Sequence, residues 1–508
     1  MRPVPGKARV ATCPSGQIAR GPTTASTTAS TTASTRTSTL TSTLTSILTS
    51  TLTVASVVTT VTGAAVLALP AVAHASNPWL TPLGAEAAAS GGAVAAMGRD
   101  TGMAFYNPAG LGANRRSQFD MSSTMAVLRL RTIPGAFQID LPGGRQQTAQ
   151  LASIEPLALA TSTVYTRYMG HGVTVGAGHF ANNFDRYDYT GVLEDRTGTT
   201  GLNYAARVQV DGWATRHYFG PTVGWQIMPR LRIGMSLFIT YEFHRDEGRI
   251  WMQAGPTPGL IDQNFIAGDI DLRRQTFGTE AVLGLQWEFA HRWHLGFAFR
   301  TPRLAFLERA RKTSLTTGAV VRDDDTTAAL FNFDDTPNAA RRGRVSPLQI
   351  VLGIAYALPG ARGWVSAEAD YTPAMYVPKN NVDLRHNVNA RIGARIRVAE
   401  RVMLGLGLFT DRTNEKSIND FPQFNLNYYG GSTGLELRRP FKLGKTERAR
   451  DITFTTAVAV RYAWGTGASG AVRFNLAEDT SKLSYSLGEV HPVQFHVWSG
   501  HIGAGLYF

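Results

Sequence analysis

From about Phe119 onward the chain falls into segments of 10 to 17 residues in which every second residue is apolar, and this sustained alternation restricts its folding most. Period two means strands with two unlike faces. Leu231, Ile233, Met235, Leu237, Ile239, Tyr241 and Phe243 are apolar, whereas Arg232, Gly234, Ser236, Thr240, Glu242 and His244 between them are small or polar, with Phe238 the exception. The same register runs through Leu348 to Tyr356, Val388 to Val398 and Ile452 to Trp464. Strands of soluble proteins average roughly five or six residues, but a tilted strand crossing a bilayer needs roughly 9 to 11. One face is therefore expected to meet lipid and the other a polar interior.

Fourteen such segments are counted, near residues 118-130, 155-168, 172-183, 212-228, 231-246, 275-290, 293-302, 346-358, 363-373, 387-399, 402-412, 425-438, 450-464 and 495-508. Their connections alternate between tight turns, such as Gly170-His171, Pro229-Arg230, His291-Arg292 and Glu400-Arg401, and long loops around 131-154, 184-211, 247-274, 303-345, 374-386, 413-424 and 465-494. An even strand number with short inner turns and longer outer loops describes a bacterial outer-membrane barrel. The expected fold is all-β: a 14-stranded antiparallel transmembrane β-barrel in the outer membrane of a Gram-negative cell. Trp213, Trp225, Trp287, Trp293, Tyr371, Tyr462, Trp464 and Trp498 flank the segments, where amphipathic rings prefer head-group depth. A secreted sandwich would need shorter strands.

The N-terminal region is of another kind. Val54 to Leu69 is apolar apart from Ser, Thr and Gly, and leads to Ala73-His74-Ala75, an A-x-A cleavage pattern that makes residues 1-75 a signal peptide with a low-complexity leader of Ser and Thr repeats. The leader reads either as a long n-region or as upstream sequence from a misplaced start. Of the formal charge of +13, this stretch holds Arg2, Lys7, Arg9, Arg20 and Arg36 and no acid, so +8 remains beyond it. A basic excess on an exported barrel suits anionic outer-membrane lipids and lipopolysaccharide, with no call on nucleic acid. The single cysteine, Cys13, also falls here, which leaves the mature chain without disulfides or Cys-ligated metal.

Residues 76-116 are rich in Ala and Gly and contain Ala104-Phe105-Tyr106-Asn107-Pro108-Ala109-Gly110-Leu111. Small residues at this density suit a plug whose backbone must approach a wall closely. Asn before Pro favours a turn, since the residue preceding Pro is pushed from the helical region and the Asn side chain can bond its own backbone. Here the sequence resembles the outer-membrane fatty acid and aromatic-hydrocarbon transporter family, often called FadL-like, whose mature chains open with an Ala/Gly-rich segment and an Asn-Pro-Ala motif. The resemblance implies that 76-116 is an N-terminal hatch plugging the lumen of a barrel formed by 117-508, with Asn107, Pro108 and Ala109 as the hatch motif. It further implies a kink in the third strand that opens a lateral exit. Gly172, Gly176 and Gly178 are the candidates, because Gly inside a strand often marks a bulge, although packing against the lumen explains them as well. The terminal Phe508 resembles the sorting signal read by the barrel-assembly machinery.

Inward positions carry Arg391, Arg395 and Arg397 on the tenth segment, Glu368 and Asp370 on the ninth and Asp411 on the eleventh. Neighbouring strands bring such side chains within ion-pair reach. Either they rigidify the wall, or one Arg receives a ligand carboxylate through a bidentate contact. Asp323-Asp324-Asp325 and Asp334-Asp335 in the 303-345 loop form an acidic cluster that reads as solvated loop or as a hard-cation site. His291 and His294 resemble a metal pair by spacing alone, and Ser484-Tyr485-Ser486-Leu487-Gly488 lacks the first Gly of a nucleophile elbow. No paired acid and base emerges. The expectation is a non-enzyme without cofactor or metal that takes up hydrophobic small molecules, long-chain fatty acids or hydrocarbons, through a hatch-gated barrel with lateral release. A general porin and a surface adhesin remain the alternatives.

Overall fold

The computed structural model describes residues 80-141, 145-195, 203-255, 264-321, 327-337, 346-377, 382-416, 424-443, 450-476 and 483-508. Residues 1-75, expected to be a signal peptide, and Asp323-Asp324-Asp325 lie outside these. The wall comprises β1 (Gln118–Leu141), β2 (Arg145–Gly170), β3 (Val173–Asp195), β4 (Asn203–Met228), β5 (Leu231–Gly255), β6 (Asn264–Ala290), β7 (Trp293–Arg300), β8 (Leu304–Val321), β9 (Thr327–Pro337), β10 (Gln349–Ala357) and β11 (Gly363–Thr372). A small hairpin, β12 (Met375–Val377) and β13 (Val382–Leu384), precedes β14 (Asn387–Ala399), β15 (Val402–Arg412), β16 (Phe424–Leu443), β17 (Arg450–Leu476) and β18 (Leu483–Tyr507). Within the wall successive strands pair antiparallel except β7 with β8 and β9 with β10, β11 pairs with β14, β1 with β18 and β5 with β6, so the sheet closes on itself. β7 and β8 are two stretches of one traverse, both paired with β6, and β9 and β10 are likewise the two stretches of the returning one. The barrel therefore has 14 strands.

Alternation sets the faces. Met235, Leu237 and Ile239 are exposed on the outer surface of β5, whereas Ser236, Phe238, Thr240, Glu242 and His244 are buried. Trp213, Trp225, Trp287, Trp293, Trp464 and Trp498 all point outward and are 41 to 49% exposed, as a lipid-facing girdle requires. No helix among the described residues is long and apolar enough to cross a membrane. The ring is sealed where Ser117 and Phe508 exchange backbone hydrogen bonds of 3.0 Å, leaving the Phe508 side chain on the surface.

Two expectations need correction. Most of the connecting stretches at 131-154, 184-211, 247-274, 303-345 and 465-494 are strand, because the hairpins continue pairing well beyond the apolar-outside band. Alternation weakens there, as neither face meets lipid, so the sequence pattern fades while the ladder persists. Nor is the interior polar throughout. Ile133, Phe137, Ile139, Leu151, Tyr187, Tyr189, Tyr204, Val208, Phe424, Leu426 and Phe495 form one buried apolar cluster across the outer half of the lumen.

β1 contributes to that cluster by bending. It follows β18 as far as Thr132 and Gln494 and then departs. Gly135, at φ 62°, sits at the bend, a conformation that a side chain disfavours. Beyond it Phe137 to Asp140 pair in parallel with Val472 to Asn475 of β17. One edge of β17 is held there by β18, and β16 has ended at Phe424 opposite Ser469, so β1 takes the vacated edge. Its tip thereby roofs the lumen, with Asp140 paired to Arg473.

Candidate functional site: a plugged lumen with a gap in its wall

Within the barrel lies a plug built from α1 (Ala85–Ala89), α2 (Met103–Tyr106) and a 3-10 turn at Pro108–Ala113. Leu83, Ala93, Ala96, Met103, Asn107, Ala109 and Leu111 are completely buried. Glycines of the wall explain how the backbone fits. Gly224, Gly234 and Gly284 stand side by side on β4, β5 and β6. A Cβ on Gly234 would overlap the backbone of Pro108 and Ala109, one on Gly284 would overlap Asn107 Oδ1, and one on Gly224 would overlap Gly112. On the opposite wall Gly393 and Gly407 make the same room for Ser90.

Asn107 sits at the centre of this seat. Its backbone is extended (φ −156°, ψ 93°) ahead of Pro108, and its Oδ1 accepts from the Ala109 N–H at 3.3 Å, which caps the 3-10 turn. Nδ2 donates to Ala95 O at 2.8 Å within the plug and to Leu285 O of β6 at 3.1 Å. Pro108 and Ala109 are buried against the wall glycines. Phe105 packs edge-on to Tyr218 at 5.2 Å and against Phe180 and Phe238, and the Arg300 guanidinium lies 4.1 Å above its ring. Phe238, the outlier of its strand's alternation, thus faces inward to meet the plug.

The anticipated charge cluster exists in altered form. Arg391 pairs with Glu368 and Asp370 on the neighbouring strand. Arg395 pairs with Glu436 and with Glu86 of the plug, a partner that sequence reasoning missed. Glu368 also accepts from the Ala95 N–H at 2.8 Å. Asp411 is fully buried on β15. Arg397 is not part of the network: it lies exposed at the turn end of β14, where a register shift follows. Since Arg391 and Arg395 each hold two carboxylates, neither is available to receive a ligand carboxylate without breaking a buried pair.

Plug electrostatics follow from the same contacts. Burial pushes the Glu86 carboxyl up, but Arg395 and the backbone N–H groups of Arg99 and Asp100 outweigh it and hold Glu86 below the usual carboxylate range. Burial and the Glu86 charge push Asp100 well above that range. Tyr106, whose Oη accepts from the Leu83 N–H at 2.9 Å, is raised by burial to about 12.

Among the described residues the ladder between β2 and β3 is interrupted. β2 and β3 pair from Gly170 to Ser162 and again at Ala152 with Thr190, yet residues 153-161 and 181-189 between them make no ladder pairs. Across this stretch the Asp188 N–H donates to Ser153 Oγ at 3.3 Å. On its other side β3 is shifted against β4 between Asn182 and Asp185. The break is therefore not at the three glycines named above. Gly172 belongs to the turn at φ 79°, and Gly176 and Gly178 pair regularly on both sides, their lack of Cβ accommodating Thr166 and Val164.

Other sequence candidates do not assemble a site. Asp335 is engaged by Arg311 through contacts of 2.7 and 3.0 Å. His291 is exposed while His294 is buried. Ser484 to Gly488 lie within β18, not at a strand-to-helix turn. Among the described residues no three His, Cys, Asp or Glu side chains cluster to hold a metal ion.

A closed, even-stranded barrel with an apolar outer band, an internal plug and a gap in one wall defines an outer-membrane β-barrel with a plugged lumen. Its architecture is similar to that of a Pseudomonas aeruginosa FadL homologue (TM-score 0.49, 12% identity, 85% of this chain and 99% of that one). It is also similar to the Ralstonia pickettii toluene transporter TbuX (0.46, 15%, 84% and 99%) and the P. putida toluene transporter TodX (0.48, 13%, 84% and 99%). No protein-family model and no curated protein matches the chain.

Proposed function

We propose that this protein carries hydrophobic small molecules, long-chain fatty acids or hydrocarbons, passively across the outer membrane. The carrying observation is the outer half of the lumen, a buried cluster of aromatic and aliphatic side chains in place of the polar lining that a water-filled pore needs. Burying an alkyl chain there is favourable by roughly 0.8 kcal/mol per CH₂, so capture requires no energy source. Release requires movement: the plug below shifts at its Asn107 seat, and the ligand leaves sideways between residues 153-161 and 181-189. In this reading residues 76-116 act as the hatch, Phe508 as the assembly signal, and outer-membrane lipids and lipopolysaccharide surround the wall.

The test is uptake of labelled oleate and labelled toluene by cells with and without the protein, beside a labelled sugar. Protein-dependent entry of either apolar probe without the sugar supports the reading. Entry of the sugar alone points to a porin.

A further inference from the structure

We propose that the paired imidazoles of His179 and His217, on the lipid-facing side of β3 and β4, receive the carboxylic acid head of an amphiphilic ligand as it leaves through the β2–β3 gap. This rests on the transport reading above and narrows its substrate class from any hydrophobic molecule to one with a hydrogen-bonding head.

Both residues occupy outward positions, flanked by Val175, Trp213, Phe219 and Ile239, which are 37 to 57% exposed. At that depth a polar side chain without a partner is costly, so a polar pair calls for a reason. The pair is held rigidly. His179 Nε2 and His217 Nδ1 are 2.9 Å apart, and the rings stack at 5.2 Å and 12°. Phe219 stacks on His179 at 4.5 Å and Tyr241 lies beside His217 at 6.4 Å. Thr215 Oγ1 continues the hydrogen-bonded chain to His217 Nε2 at 3.1 Å.

Position gives the pair its role. Ala181, the first residue of β3 without a β2 partner, is directly opposite His217 in register, and His179 precedes it by one outward position. The imidazoles therefore stand at the turn-side corner of the gap, on the side where a departing ligand meets lipid.

A neutral imidazole has one donor and one acceptor nitrogen. With both rings neutral, the chain Thr215–His217–His179 can run in either direction, leaving His179 Nδ1 as a donor or as an acceptor. Among the described residues that nitrogen has no partner. A carboxylic acid offers both a carbonyl and an O–H and so can bond either arrangement, whereas a hydrocarbon can bond neither. Two histidines with no third ligand group nearby do not make a metal site.

The test compares labelled oleate with labelled hexadecane, taken up by cells bearing the full chain or the double variant His179→Phe/His217→Phe. Heat-modifiable migration on gels checks that the variant barrel is assembled. The expected result is an oleate rate lower by about tenfold, the scale of one lost hydrogen bond to a polar head, with hexadecane unchanged and with His179→Gln retaining most of the oleate rate. Oleate uptake within twofold of wild type, or an equal fall for both probes, overturns the head-group site. Wild-type uptake of hexadecane but not oleate overturns it while leaving transport intact. If wild type admits neither oleate nor hexadecane, this site falls, and the transport reading falls with it when toluene is excluded as well.

Discussion

The two sides of the barrel are built to different heights. β1 to β6 run 23 to 27 residues and β16 to β18 run 20 to 27, but β11, β14 and β15 run only 10 to 13. The low wall is little longer than a bilayer requires, and it carries the buried ion pairs of Arg391 and Arg395. The tall wall carries the outer apolar lumen, the roof from β1 and the interrupted β2–β3 ladder. Holding the plug with charge and opening a path through strand geometry are thus assigned to different parts of one sheet. A wall that anchors has every strand paired along its length, whereas a wall that opens keeps long strands so that pairing on either side of a gap maintains closure.

The sharpest way to break this division is Arg391→Ala. It leaves Glu368 and Asp370 buried without their cation, and removing one partner of a buried pair costs about 3 to 5 kcal/mol. The midpoint of urea unfolding, followed by Trp emission in detergent, should fall markedly. Carboxylate affinity should not change once the folded fraction is allowed for, because Arg391 is already occupied. A selective loss of oleate binding in folded protein would return the ligand to the low wall.

Next in size is Gly234→Val on the tall wall. The new side chain collides with Pro108 and Ala109, and overpacking of this kind costs about 1 to 3 kcal/mol. The barrel has no reason to fail, since the Gly234 backbone keeps its partners Gly224 and Gly284. The plug should yield instead, so sugar leakage should rise while heat-modifiable migration is unchanged. Leakage equal to wild type would mean that the glycine row is not what admits the plug.

These two residues also mark how far the sequence could be read. Strand number and the inward side of Arg391 follow from a period-two pattern imposed by lipid on one face, and that pattern is strong wherever lipid is present. Beyond the bilayer the constraint vanishes, which is why the outer halves of β1 to β6 read as loops. The partner of Arg395 was hidden for another reason: Glu86 sits over three hundred positions away in a segment with no periodicity. Signals did exist for the seat. Phe238 broke the alternation of β5, and Gly224, Gly234 and Gly284 each fell at an inward position. The gap left no comparable trace, because Gly176 and Gly178 drew attention to regular ladder while the pairing fails a few residues on.

Asn107→Ala bears on the plug where it meets the tall wall. It removes one donor to Leu285 O and to Ala95 O, the latter keeping Gln286 Nε2, and the cap on Ala109 N–H, which is left buried without its acceptor at a cost of about 1 to 3 kcal/mol. The effect should appear as faster hydrogen exchange across 104-113 with exchange in β14 and β15 unchanged. Equal loosening of both walls would mean that the plug moves as one body and that the division between walls does not extend to it.

The smallest expected effect concerns the low wall and is a pH dependence. Asp100 holds its proton in the seated plug far above the value of about 3.9 for a free carboxyl. Its contribution to seating is complete below that free value and is lost as pH rises through the raised one. Glu86 behaves oppositely: its pairing with Arg395 contributes above the free carboxyl value of about 4.3 and is lost as pH falls through its depressed one. Seating in the wild type should therefore weaken from mildly acid to alkaline pH, as Asp100 ionises 14 positions from Glu86 and beside its charge. Asp100→Asn keeps an oxygen for the Glu86 N–H and cannot ionise, so its exchange rates in 84-100, corrected for intrinsic rates, should be flat over that range. Both proteins should loosen together in strong acid. A variant that tracks the wild type at alkaline pH would show that the low wall holds the plug through the Arg395 pairs alone, with Asp100 playing no part in when it lets go.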